Sequence, residues 1–197
     1  MEILFLRHGE TEKNVDNLTH KHGEDTELNS KGRDQAAQLA AVCKRHNIHK
    51  IFCSPEARAV QTAHIIGSEL DIRPIVLEGL TERDWGDWEG QPWSEIEAQL
   101  SQLSLDERRR FVPPHGESWE QMENRLLSSI DVILQENDSV AVVTHAGALR
   151  ALMPPLKREP LENSFSYEFD NASVTIFRQK NGMLTQTLEN DTSHLIV

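Results

Sequence analysis

Two histidines in this chain each come shortly after a run of apolar residues and shortly before a glycine. His8, preceded by Arg7, follows residues 3–6, and His145 comes two residues after the run 140–143. Imidazole changes its charge near neutral pH, so it can serve as a base or as a nucleophile. The guanidinium of arginine is a permanent cation with planar hydrogen-bond donors. Together these groups suit an anion that undergoes chemistry, whereas either histidine alone would more often be structural.

Strand and helix signals alternate along the chain, which is the pattern of a largely parallel α/β sheet. Apolar runs predict strands at residues 3–6, 48–53, 75–77, 140–143, 173–178 and 184–188. Amphipathic spacing and capping residues predict helices at about 29–45, 54–70, 94–103 and 117–135. Asn181-Gly182 is a signal for the turn between the last two strands. From its length of 197 residues, the chain is expected to form a single domain over residues 1–197.

The carboxyl ends of the strands should bring the candidate residues together, because open α/β sheets bind ligands at this edge. Adjacent parallel strands would place His8 and His145 within a few ångströms of each other. Ser-Pro-Glu at 54–56 is typical of a helix start, with a cap residue, a proline and an acid in the first turn. Arg58 would then lie in that first turn, where free backbone N–H groups also attract an anion.

The composition is that of a soluble globular protein, with 38% hydrophobic and 26% charged residues. The net charge of −12 argues against general binding to nucleic acid or to anionic membranes, so a phosphate site must be a local basic pocket. Cys43 and Cys53 match no metal or redox motif and are expected to be buried thiols. No apolar run reaches the ~20 residues of a membrane span, and the first residues lack a signal-peptide pattern, so we expect a cytoplasmic protein.

Four separated motifs, taken in order, resemble those of the histidine phosphatase superfamily, the phosphoglycerate mutase-like proteins. They are R-H-G-E-T from Arg7, S-P-E-A-R-A-V-Q-T-A from Ser54, L-T-E-R-D-W-G-D-W-E-G from Leu80 and V-V-T-H-A-G from Val142. Each motif is weak alone, but their combination and order are specific. They fall within residues 3–147, about three quarters of the chain. The resemblance implies a three-layer α/β/α sandwich with a mostly parallel central sheet.

The resemblance also implies two roles in covalent catalysis. His8 would be the nucleophile that accepts the phosphoryl group as phosphohistidine. Glu82 would protonate the leaving oxygen and then activate water. The field of neighbouring arginines would keep His8 neutral, provided that a backbone or side-chain acceptor holds the proton of its other ring nitrogen.

A phosphate clamp is the third feature that the resemblance implies. Its members would be Arg7, Arg58 and His145, with further contacts from Asn14 and Ala146. Phosphoryl transfer asks a protein mainly for positioning and for neutralisation of the phosphoryl oxygens, and two guanidiniums supply both. We therefore expect no metal ion and no other cofactor.

The favoured function is a cofactor-independent phosphomonoesterase that acts on a small phosphorylated metabolite. A mutase is an alternative, although family mutases usually carry a longer insertion between the Glu82 motif and the second histidine. A non-catalytic phosphate-dependent binding or regulatory protein would need neither His8 nor Glu82. A protein-phosphohistidine phosphatase is a further alternative, although those proteins tend to be smaller. The sequence indicates neither the substrate nor the oligomeric state.

Three features carry weaker signals. His20 and His22 could form a metal pair, but a polar loop is the favoured interpretation. The run Arg108-Arg109-Arg110 could contact a second anionic group of the substrate, and a solvated basic face is favoured. Three tryptophans could form a lid over the site or pack beneath the segment 80–90 that carries Glu82, here called the Glu82 loop. They are Trp85, Trp88 and Trp93.

Overall fold

The computed structural model of the chain describes residues 1–20 and 26–195. Within these residues, six strands form one sheet in the order β3-β2-β4-β1-β5-β6. The strands are β1 (Glu2–Arg7), β2 (Lys50–Cys53), β3 (Ile75–Val76), β4 (Val140–Thr144), β5 (Val174–Lys180) and β6 (Met183–Asp191). The first four in sequence pair in parallel, and β5 and β6 are antiparallel additions at one edge. The predicted mostly parallel sheet is confirmed.

Seven α-helices surround this sheet in the described part of the chain. They are α1 (Glu12–Val15), α2 (Ser30–Arg45), α3 (Ala57–Leu70), α4 (Trp93–Leu100), α5 (Leu105–Arg110), α6 (Trp119–Ile133) and α7 (Ala146–Lys157). Short 3-10 turns lie at Glu78–Leu80, Gly86–Trp88 and Leu161–Ser166. No helix in the described ranges is long and apolar enough to span a membrane.

Two helix predictions are wrong in detail. Helix α3 begins at Ala57 rather than at residue 54, and its N-cap is Glu56. The Ser54 hydroxyl is instead engaged by His145 and by the backbone N–H of Glu56. The arginine run at residues 108–110 lies between the helices predicted at 94–103 and 117–135, but in the structure it belongs to helix α5. Ser104 and Glu107 make a reciprocal capping box that starts this helix.

The sheet is covered by helices on both faces, because successive side chains of a buried strand point to opposite sides. Ile3 and Phe5 pack with residues of α6 and α7, whereas Leu4 and Leu6 pack with residues of α2 and α3. This confirms the three-layer α/β/α sandwich. Cys43 and Cys53 are free and buried, as predicted, and burial raises the pKa of their thiols to about 12 and about 11.

A third, smaller cluster packs beside the sandwich, beyond the Glu82 loop. Trp85 joins residues of α4 there, and Trp88 and Trp93 pack against it. Trp88 contacts Phe111, with ring centroids 5.1 Å apart. Trp85 and Trp93 meet edge to face at 5.6 Å and also line the cavity that Arg7 and Glu82 line. Packing at the Glu82 loop is therefore observed, and Trp85 and Trp93 also wall the cavity, whereas a lid over the site stays a prediction.

Candidate active site

Strand register brings the two histidines together. Strands β1 and β4 are parallel neighbours with Arg7 opposite Thr144, so the residues that follow, His8 and His145, lie side by side. Their ring centroids are 5.2 Å apart, and both side chains are buried. Arg58, from the first turn of α3, is fully buried, with its Nε 3.3 Å from His8 Nε2. The structure thus places three of the predicted residues in one buried group.

The hydrogen bonds of His8 determine which ring nitrogen can react. Nδ1 lies 2.7 Å from the carbonyl oxygen of Gly9, and because a carbonyl only accepts, Nδ1 carries the proton. Nε2 is then unprotonated, and its electron pair accepts the Nε–H of Arg58 at 3.3 Å. Burial, together with the charges of Arg58 and of neighbouring groups, holds the pKa of His8 well below its ordinary value. The imidazole is therefore neutral, and the predicted acceptor is the Gly9 carbonyl.

Glu56 connects two residues of the predicted phosphate clamp to Glu82, whereas the sequence predicts it only as part of a helix start. One carboxylate oxygen of Glu56 lies 2.6 Å from His145 Nε2 and accepts the backbone N–H of Glu82 at 3.0 Å. The other lies 3.1 Å from Arg58 Nη2. Burial alone would raise the pKa of Glu56, but His145, Arg58 and the Glu82 N–H outweigh it and hold that pKa well below its ordinary value. Glu56 is therefore an ionised group shared by three site residues.

His145 has its two ring nitrogens in different surroundings. Nε2 faces the Glu56 carboxylate and the Ser54 hydroxyl, the latter at 2.8 Å. Nδ1 is buried and has no hydrogen-bond partner among the described residues. Burial lowers the pKa of His145, partly opposed by Glu56. Because a carboxylate only accepts, Nε2 carries a proton, so Nδ1 can donate to a phosphoryl oxygen when the ring holds a second proton and is a cation.

Replacing Glu56 with glutamine should lower kcat/KM by about 10- to 100-fold, because Arg58 and His145 lose the carboxylate that orients them. Steady-state kinetics with an aryl phosphate would measure the loss, with circular dichroism to verify folding. Glu69→Gln is the matched control, because Glu69 is exposed on the same helix α3. An unchanged kcat/KM in a folded Glu56→Gln variant would contradict the role of Glu56.

Glu82 is held at the amino end of α7. Its carboxylate accepts the backbone N–H of Gly147 at 2.9 Å and that of Arg83 at 2.8 Å. Arg125 donates to the Glu82 carbonyl at 2.7 Å and so supports the loop from below. A Cβ atom on Gly147 would collide with the Glu82 carboxylate, so glycine is required for this close approach. The position of the predicted acid is thus set by backbone groups.

A cavity of about 420 Å³ opens beside the buried histidines. Of the predicted residues it is lined by Arg7, Asn14, Glu82 and Ala146. His8, Arg58 and His145 are more deeply buried next to it. Sequence reasoning did not assign several other lining residues to the site, among them His20, Arg83, Trp119, Arg150 and Asn171.

Asn171 orients Asn14. Its amide nitrogen donates to Asn14 Oδ1 at 3.0 Å and to the His8 carbonyl at 3.2 Å. Because Asn14 Oδ1 is already an acceptor, the Asn14 amide nitrogen is the group left to bind an anion. Arg7 donates to the Phe169 carbonyl at 2.6 Å, and burial lowers its pKa to about 10, so it stays protonated at neutral pH.

His20 is a third imidazole at the site. Its ring centroid lies 5.8 Å from that of His8, and its Nε2 is 3.0 Å from Thr11 Oγ1. Burial, with the charges of Arg58 and His145, lowers the pKa of His20 to about 2. His22, its partner in the alternative of a metal pair, lies outside the described residues. No group of three possible metal ligands occurs in the ranges that the structure describes.

The arginine run does not form the predicted solvated face. Arg108 makes a two-pronged ion pair with Glu97, at 2.9 and 2.7 Å, and its side chain is mostly buried. Arg109 is buried against Glu123 at 3.3 Å. Only Arg110 is exposed. The helical spacing of α5 turns the first two inward, where acids of other helices neutralise them.

The fold and the site together define a class: a three-layer α/β protein with a candidate anion site built from paired histidines and arginines. The model of the histidine phosphatase superfamily (branch 1) matches residues 3–192, and the chain belongs to that superfamily.

Known relatives agree with this assignment. Phosphoserine phosphatase 1 of Hydrogenobacter thermophilus is 28% identical over 204 residues, which cover 99% of this chain and 94% of that protein. The adenosylcobalamin/alpha-ribazole phosphatase of Escherichia coli is 26% identical over 175 residues, which cover 86% of each chain. A solved structure of mycobacterial glucosyl-3-phosphoglycerate phosphatase with VO3 has a TM-score of 0.84 and 28% identity, covering 97% of this chain and 99% of that one.

Proposed function

We propose that this protein hydrolyses the phosphomonoester of a small metabolite, without a metal ion, through a phosphohistidine on His8. The observation that carries the proposal is the hydrogen bonding of His8. Nδ1 donates to a carbonyl, so Nε2 is unprotonated, and its electron pair accepts the Arg58 Nε–H, which a bound phosphoryl oxygen would accept in its place. A binding protein would need neither this neutral nucleophile nor an acid held at the cavity wall.

In the first step the phosphoryl group is held by Arg7, Arg58 and His145, with Asn14 and Ala146 at the cavity wall. His8 Nε2 attacks phosphorus as the bond from phosphorus to the ester oxygen breaks. Glu82 gives its proton to the departing oxygen, which leaves as an alcohol. Binding the phosphoryl group between fixed cations supplies much of the rate, because it removes the cost of orientation and neutralises charge.

In the second step water replaces the alcohol. Glu82, now ionised, takes a proton from the water as its oxygen attacks phosphorus. The bond between phosphorus and Nε2 breaks, and its electron pair returns to the imidazole. Inorganic phosphate leaves, and His8 and Glu82 are restored to their starting protonation states.

Cytoplasmic location, and the lack of nucleic-acid and membrane partners, stay predictions.

The proposal predicts an acid-labile, base-stable phosphoenzyme. Rapid quenching during turnover of a ³²P-labelled ester should trap label on His8, located by peptide mapping, and free phosphate should accumulate. A chelator such as EDTA should leave the rate unchanged, because guanidiniums supply the charge that a metal would. Loss of activity with EDTA, or no label at any quench time, would contradict the mechanism. Transfer of label to an alcohol acceptor without free phosphate would identify a mutase instead.

A further inference from the structure

The cavity is more basic than a single phosphoryl group requires. Four cationic side chains and one carboxylate, that of Glu82, line it in the described part of the chain, although the protein carries a net charge of −12. Arg7 belongs to the phosphate clamp, and Lys13 lies near it in sequence. Arg83 and Arg150 come from other elements, the Glu82 loop and α7. These two guanidiniums are therefore available to bind a part of the substrate other than its phosphoryl group.

Both guanidiniums are held by backbone carbonyls and not by an acid within the described residues. Arg83 donates to the carbonyls of Glu117 at 3.1 Å and Phe111 at 2.8 Å. Arg150 donates to those of Ser164 at 3.3 Å and Phe165 at 3.0 Å. Carbonyls orient a guanidinium but carry no full charge. Burial lowers the pKa of both arginines, opposed by Glu117 and Glu82 at Arg83 and by Glu82, Glu97 and Glu168 at Arg150. None of these carboxylates forms a direct ion pair with either guanidinium within the described residues, so a paired full charge is still lacking. An anionic ligand would supply that charge.

Trp119 adds a hydrogen-bond donor to the same wall. The residue is buried and lines the cavity, and its indole Nε1 has no acceptor among the described residues. Its ring is approached by the guanidinium carbons of Arg83 at 6.0 Å and Arg150 at 5.6 Å. A buried N–H without a partner is unfavourable and is expected to find one in the ligand.

The aromatic faces of Trp85 and Trp119 at this wall are already in contact with other side chains. Arg83 lies over the face of Trp85 at 4.1 Å, and Trp119 contacts Phe165 with ring centroids 5.0 Å apart as well as the two guanidiniums. Little indole face is therefore left for stacking on a planar group. The wall offers charge and an N–H donor, which suits an acidic substituent better than an aromatic one.

We propose that Arg83, Trp119 and Arg150 form a subsite for a carboxylate carried by the substrate itself. This rests on the proposed function, because the same molecule must place its phosphoryl group at His8. A carboxylate is planar and singly charged, and it matches a guanidinium edge beside one indole N–H. The substrate class is then a small phosphomonoester of a hydroxy or amino acid.

The experiment compares esters that differ in the carboxylate alone: phosphoserine against phosphoethanolamine, and 2-phosphoglycerate against glycerol 2-phosphate. For at least one pair, wild-type kcat/KM should be about 10- to 100-fold higher for the acid. Arg150→Gln should bring that ratio close to 1. Trp119→Phe, which keeps the ring and removes only the N–H, should lower it by a smaller factor. The exposed Arg110→Gln is the control and should keep the wild-type ratio.

Each outcome decides one of the two proposals. Turnover of a generic aryl phosphate with equal rates for both members of each pair overturns the carboxylate subsite and leaves the phosphatase function intact. A preference that survives in a folded Arg150→Gln variant and in Trp119→Phe also overturns it. No turnover of any ester by the wild type overturns the proposed function, and the subsite with it.

Discussion

Replacement of His8 by alanine lowers kcat for any phosphomonoester by more than about 10⁴-fold, because the reaction loses its nucleophile. The proposed phosphate clamp consists of side chains other than His8, so the variant should still bind vanadate or inorganic phosphate. Turnover by stopped assay and binding by calorimetry separate the two effects. Their combination, a folded protein that binds and does not react, is what a nucleophile predicts.

His64→Ala is the matched control for this substitution. His64 is an exposed histidine on α3, the helix that also carries Arg58, and it should retain wild-type rates. Near-normal turnover by His8→Ala would show that another group attacks phosphorus. The neighbouring imidazoles of His20 and His145 would then be the candidates to label by phosphoryl trapping.

The second large effect is expected for Glu82→Gln, and its size should depend on the leaving group. Alkyl esters need a proton on the departing oxygen, so their kcat should fall by about 10²- to 10⁴-fold. An aryl phosphate leaves without that help, and its first step should be much less affected. Because hydrolysis of the phosphoenzyme also uses Glu82, an aryl substrate should give a burst followed by slow turnover. Rapid-quench kinetics on both esters would measure this difference.

Gly147→Ala tests the same acid without removing it. The new methyl group would displace the Glu82 carboxylate from its backbone N–H donor, so alkyl esters should again suffer more than aryl esters. Glu78→Gln, an exposed acid just before the loop, serves as the control. Equal losses in the rate of the first step for both classes of ester in Glu82→Gln would contradict the acid role.

Much of the architecture could be predicted because it depends on local patterns. The runs 3–6 and 140–143 are continuous in apolar residues, as strands buried on both faces must be. Asn29 caps α2 as expected, since its side chain accepts the N–H of Gly32. The prediction placed the start of α3 too early because the Ser54 hydroxyl bonds to His145, which is distant in the sequence, instead of capping the helix. Capping rules consider only partners that are close in the sequence.

The sequence by itself determined the family, the sheet and the residues at the ends of β1 and β4, because these follow from motifs and side-chain periodicity along one segment. Only the tertiary structure decided which groups meet there. Three features join elements far apart in the chain. They are the contact of Glu56 with His145, the hydrogen bond from the Gly147 N–H to Glu82, and the cavity wall of Arg83, Trp119 and Arg150. Such contacts depend on how helices pack at the edge of the sheet, and the order of residue types along one segment does not indicate that packing.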